Sequence, residues 1–236
     1  MLNEIGILIG TASIIGFLHT ILGPDHYLPF IVLSKARQWN LRKTIMTTFL
    51  CGIAHVLSSV ILGFIGVTIG VAIFRLGVIE SFRGELSAWF LIIFGFTYFI
   101  WGIHKAIQYR QHDHFHLHED GKFHSHPHNH ISEHSHVHTL NSDNFTPWIL
   151  FIIFVFGPCE PLIPLVMYTA TNNNMIALVS VISIFSLITV STMLCIVLSA
   201  LCGLSKLPIY GLEKYLHALA GLTIFLCGSA IKFLGL

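Results

Sequence analysis

The chain has 236 residues, 10% of them charged and 54% hydrophobic, and its 12 Lys and Arg against 11 Asp and Glu leave a net charge of +1. Soluble domains carry charge on about a quarter of their residues, and the mean hydropathy here is +0.78. These values exclude an ordinary soluble enzyme, give no basis for a nucleic-acid partner, and predict an all-α polytopic membrane protein.

A bilayer core takes about 20 apolar residues to cross as a helix. Stretches long enough lie at 5–33, 44–74, 86–106, 147–170, 175–204 and 212–234, predicting six transmembrane helices. The leading stretch has no Lys or Arg before it and no small-residue cleavage pattern after it, so it reads as a retained span rather than a signal peptide. Residues 1–109 and 145–236 then form two three-helix units around a polar loop at 110–144. No room is left for a soluble catalytic domain, so neither an enzyme nor a tightly bound cofactor is expected.

Lys35, Arg37, Arg42, Lys43, Lys105, Arg110, Lys122, Lys206 and Lys214 fall on the side of the polar loop, whereas Arg75, Arg83 and Lys232 fall on the side of both termini. The positive-inside rule predicts a cytoplasmic-membrane protein with its loop in the cytoplasm and its termini outside.

Within the first span the apolar run breaks at Gly23-Pro24-Asp25-His26, and within the fourth at Gly157-Pro158-Cys159-Glu160. The two quartets are offset by 157 − 23 = 134 residues. Proline removes a backbone donor and clashes with the preceding turn, so helices 1 and 4 are predicted to be broken. A weaker echo sets Phe99-x-x-Gly102 against Phe225-x-x-Gly228. Repeats of three spans each must insert in opposite senses, which is the inverted-repeat plan in which broken helices line a midplane binding site. Ser58, Ser59 and Gly63 in span two, and Ser183, Ser186, Thr189, Ser191 and Thr192 in span five, read as positions of close interhelical packing.

The broken spans carry the chemistry. An intramembrane carboxylate such as Asp25 costs about 2.5–3.5 kcal/mol on the insertion scale and marks a functional position. His19 and His26 lie two helical turns apart, His55 is the intramembrane histidine of span two, and Cys159 and Glu160 are the second quartet's polar pair. Imidazole with carboxylate and thiolate suits a late first-row divalent metal, whereas Mg2+ and Ca2+ prefer all-oxygen sites. The expected metal set is His19, Asp25 and His26, joined by His55, Cys159 and Glu160. Cys51, Cys195, Cys202 and Cys227 lie in or at the ends of apolar spans with no disulfide spacing, and read as packing residues.

The polar loop holds His112, His114, His116, His118, His124, His126, His128, His130, His134, His136 and His138. Alternation sets neighbouring imidazoles on one side of an extended chain, and most are neutral and open to metal near pH 7. With Asp113, Glu119, Asp120, Asn129, Ser132 and Glu133 interspersed, the loop reads as a disordered tether that buffers metal. His104 and His217 lie near the membrane interfaces without an assigned role.

On His19, Gly23-Pro24-Asp25-His26, His55, the run Phe156-Gly157-Pro158-Cys159-Glu160-Pro161-Leu162-Ile163-Pro164, the six spans and the His-rich loop, the chain resembles the NicO group of nickel/cobalt transporters, most closely its UreH-like membrane proteins. That resemblance implies a permease moving Ni2+ or Co2+ in either direction; the ligand types leave Zn2+ and Fe2+ as further candidate cargo, and with no Gly-x4-Gly-Lys-Ser/Thr phosphate loop present no ATP hydrolysis of its own is expected. The partners implied are the lipid bilayer, the divalent ion and cytoplasmic metallochaperones. Gly157-Pro158-Cys159 also looks like one half of the CcdA/DsbD thiol-electron carriers, although Asp25 stands where the partner cysteine belongs. A membrane metal sensor or insertion factor that binds without transporting is the third reading.

Overall fold

The computed structural model describes residues 2–70, 73–108, 112–117, 123–128, 142–171, 174–205 and 212–235. Its helices are α1 (Leu2–Leu22), α2 (Leu28–Ala36), α3 (Leu41–Thr68), α4 (Ile73–Gln108), α5 (Ser142–Phe156), α6 (Leu162–Thr171), α7 (Met175–Leu204) and α8 (Leu216–Leu234). Among the described residues, five helical segments are long and apolar enough to cross a membrane: Glu4–Leu22, Leu41–Thr68, Arg75–Gln108, Met175–Leu204 and Glu213–Leu234. The stretch expected as span four is two shorter apolar helices, Phe145–Phe156 and Leu162–Thr171. Large apolar side chains such as Leu22, Leu57, Phe82, Ile93, Val179 and Phe233 are exposed, giving the bundle the outward face that lipid contact requires.

Each break occurs where proline withholds a donor. After Leu22, the Gly23 N–H still bonds the His19 carbonyl at 3.1 Å, but Pro24 continues as one 3-10 turn, Pro24–His26, before α2 starts. In the second break the Gly157 N–H bonds the Phe154 carbonyl at 3.1 Å, and the chain resumes helix through Leu162 N–H to the Cys159 carbonyl at 3.0 Å. Two other helix starts are capped by asparagine side chains. Asn40 accepts from the Lys43 N–H at 2.8 Å to start α3, and Asn174 accepts from the Ala177 N–H at 3.0 Å to start α7.

Two clusters of buried side chains fill the bundle. One holds Phe30, Leu33, Leu91, Leu150, Met193 and Ile224; the other holds Val56, Cys159, Leu162, Val166, Val181 and Phe185. Small residues bring the backbones together between them. Gly63, expected as a packing position, faces Val166, and Gly16 in α1 faces Phe185 and the expected packing residue Thr189. The closest approach is α4 on α8: a Cβ on Gly95 would lie 2.3 Å from the Phe225 nitrogen, and one on Gly221 would lie 2.3 Å from the Phe99 nitrogen. Gly102 likewise meets the Ala218 nitrogen at 2.3 Å, and Gly228 meets the Ile92 nitrogen at 2.9 Å.

Two expectations change. Helix α4 begins at Ile73 rather than near residue 86, so Arg83 is no loop charge; it lies inside a long helix with its side chain only 14% exposed. The expected disordered tether contains an antiparallel hairpin of β1 (His112–Leu117) and β2 (Phe123–His128), in the register His112↔His128, His114↔His126 and His116↔His124. The His-x-His alternation is itself the period of a strand. His118, His130, His134, His136 and His138 lie outside the described residues.

The α4–α8 contact makes a stability prediction. Gly95→Leu or Gly221→Leu forces a side chain into opposing backbone and should destabilise the detergent-solubilised protein by about 1–3 kcal/mol. Thermal unfolding should show the drop, while Gly6→Leu, whose Cβ position meets nothing within 4 Å, leaves the midpoint unchanged.

Candidate metal centre

Three imidazoles meet inside the bundle. His19 comes from the last turn of α1, His26 from the 3-10 turn after Pro24, and His55 from the middle of α3. One ring nitrogen from each lies within 4.8 Å of the other two. His26 and His55 are buried and His19 is partly buried. Ring centroids are 4.7 Å apart for His19–His26 and 4.9 Å for His26–His55. Phe185 lies against His19 and Phe154 against His55, so the cluster sits where the two apolar cores meet.

The hydrogen bonds behind the rings decide how they face. His26 Nδ1 lies 3.0 Å from the Gly23 carbonyl and 3.0 Å from Asp25 Oδ1. Both neighbours accept, so Nδ1 carries the proton. His55 turns its Nδ1 edge toward Gly157. The Nε2 atoms of His26 and His55 face one another at 3.3 Å. Two ring nitrogens at that distance need a proton or a metal ion between them. Metal bonds of about 2.0–2.1 Å place adjacent ligand nitrogens about 3–3.4 Å apart, so this edge has the length of a chelating pair.

The quartet glycines are part of the site. A Cβ on Gly23 would fall 2.5 Å from His26 Nδ1, and a Cβ on Gly157 would fall 3.0 Å from His55 Nδ1. Each glycine leaves the space that an imidazole occupies.

The remaining predicted residues divide. Cys159 is fully buried and reaches the cluster through His19, with Sγ 3.8 Å from His19 Nε2. Asp25, expected as a ligand, places its carboxylate Oδ1 3.0 Å from His26 Nδ1, at the edge of that ring away from His55. It lines a small cavity together with His55, Ser87, Leu91, Phe154 and Gly157. Glu160 does not join: it is exposed at the turn between α5 and α6, because Pro158 and Pro161 turn its side chain away from the face that buries Cys159. Outside the cluster, His217 bonds Tyr98 at 2.8 Å and Lys105 at 3.1 Å, and His104 bonds Gln108 at 2.8 Å.

Sequence reading missed Glu80 and Arg83, an ion pair on α4 beside the second break. Glu80 is completely buried. The available signal was an acid and a base at i, i+3, each directly preceded by a large apolar residue, Ile79 and Phe82. No known family model, curated protein or solved structure matches the chain.

The geometry separates a ligand from its support. Asp25→Asn should weaken divalent-metal affinity about 10–100-fold while leaving binding measurable, the effect of losing a second-shell partner. His26→Ala should remove binding within the range of a chromogenic-chelator competition assay, and equal losses in the two variants would return Asp25 to the ligand set.

Proposed function

We propose that this protein is a membrane permease for a late first-row divalent cation, Ni2+ or Co2+ foremost, taken up at His19, His26 and His55 with Cys159 at its margin. The observation that carries this reading is the pair of Nε2 atoms aimed at each other at 3.3 Å inside an apolar bundle. A shared proton would satisfy two imidazoles alone. A third imidazole within reach of the same point, with the Cys159 thiol 3.8 Å behind His19, favours a soft-to-borderline metal ion, for which imidazole and sulfur are the preferred donors.

An inverted repeat of two three-span halves is supported by two independent features. The glycine of each Gly-Pro quartet backs an imidazole of the cluster. The α4–α8 contacts are also reciprocal: Gly95 meets Phe225 while Phe99 meets Gly221, with 221 − 95 = 126 and 225 − 99 = 126. In this arrangement α5 and α6 together make the sixth span, and rocking one half against the other exposes the centre to each side in turn. With Arg83 inside the bundle the charge bias is nine cations against two, which supports termini outside and the His-rich hairpin in the cytoplasm. There the histidines paired across the hairpin serve as a metal buffer and a docking point for metallochaperones.

Flux of Co2+ or Ni2+ into proteoliposomes tests the reading. The wild type should show flux that His26→Ala and His55→Ala abolish, and an intact reconstituted protein that binds metal without flux would instead be a sensor or insertion factor. Removing residues 110–144 should change capacity or sensitivity while basal flux persists. Cys159→Ser should keep measurable flux; loss of periplasmic disulfide reduction in that variant, with metal flux untouched, would favour the thiol-carrier reading.

A further inference from the structure

The second break has a feature the first lacks, namely a cation brought from another helix. Pro158 and Pro161 cannot donate to the carbonyls of Phe154 and Gly157, which a continuous helix would use. The Cys159 N–H, which such a helix would direct to Val155, goes to Ser59 Oγ at 3.2 Å. The Gly157 N–H takes the Phe154 carbonyl at 3.1 Å. The other two carbonyls fall to Arg83, whose Nη2 donates to Val155 at 2.7 Å and to Gly157 at 3.3 Å. The same guanidinium donates to Ser58 Oγ at 2.7 Å and to Ser59 Oγ at 3.4 Å, and pairs with the buried Glu80 carboxylate. At the equivalent carbonyl of the first break, Ile21 (155 − 134 = 21), the donor is the nearby Tyr27 hydroxyl at 3.2 Å.

We infer that Arg83 is a positioning residue for the metal centre: it clamps the freed carbonyls of α5 and, through Ser59, holds the Cys159 thiol beside His19. This rests on the metal reading above. The physical reason is twofold. A cation at the C-terminal end of α5 is favoured by the helix dipole, and unsatisfied carbonyls at membrane depth cost several kcal/mol each. Arg83 is anchored on α4 by Glu80, so the position of Cys159 follows α4 and α3 rather than its own proline-rich segment. A fork of fixed N–H donors suits this role; a lysine ammonium lacks its planar reach.

The test uses the purified full chain with Co2+ as probe. The wild type should show visible d–d bands from imidazole ligation and a near-ultraviolet thiolate-to-cobalt band that Cys159→Ser abolishes. Arg83→Gln should keep the d–d bands and lose the thiolate band, with partial recovery in Arg83→Lys; the exposed Arg75, as Arg75→Gln, should keep both. A second readout needs no metal. Peptide-resolved alkylation of Cys159 should accelerate on the order of tenfold in Arg83→Gln and in Ser59→Ala, the scale of one lost hydrogen bond. Ser59→Ala also serves if Arg83→Gln does not fold. A monodisperse Arg83→Gln protein with wild-type thiolate band and alkylation rate overturns the inference, as does a wild type with d–d bands but no thiolate band. Absence of all cobalt bands in the wild type would bring down the metal reading, while the alkylation rates still decide whether Arg83 sets the thiol.

Discussion

A backbone broken inside lipid must find partners for every carbonyl and N–H it frees, because no water is there to take them. The structure around both Gly-Pro quartets follows from that demand. At the first break Tyr27 and His26 serve the Ile21 and Gly23 carbonyls from within the same segment. At the second, Ser59 and Arg83 arrive from neighbouring helices to serve Cys159, Val155 and Gly157. A group that satisfies the backbone also aims a side chain of the cluster: bonding His26 Nδ1 to Gly23 turns its Nε2 toward His55.

The second constraint is closeness. Lipid gives helices no hydrophobic reason to associate, so packing depends on how near backbones can come. Gly95 and Gly102 on α4 and Gly221 and Gly228 on α8 bring main chain against main chain with no side chain between. That tight seam leaves the bundle's bulk for the aromatic residues around the imidazoles, with Phe30 on Phe154 at 4.9 Å closing one side. The Glu80–Arg83 pair extends the logic to charge, since α4 carries these ions into an apolar bundle only because Ser58, Ser59 and the α5 carbonyls receive the guanidinium.

The hairpin shows how local and tertiary signals divide. Its His-x-His runs are read for composition as a solvated tether, yet the same alternation is strand periodicity, and two runs separated by a short connection pair in register. Polarity dominated that expectation, although the period was visible in the residues.

By itself the sequence determined the apolar helical class and the places where α1 and the α5–α6 stretch break, and it singled out His19, His26, His55 and Cys159 as candidates, because hydropathy, proline and side-chain chemistry are properties of residues and their near neighbours. Only the tertiary structure decided which of the candidates meet. Asp25 moved behind His26 and Glu160 turned outward because a break redirects consecutive side chains in ways that spacing on a continuous helix does not describe. Arg83 counted as a loop charge for the same reason: its partners at Val155 and Gly157 are more than seventy positions away, and only folding brings them within reach.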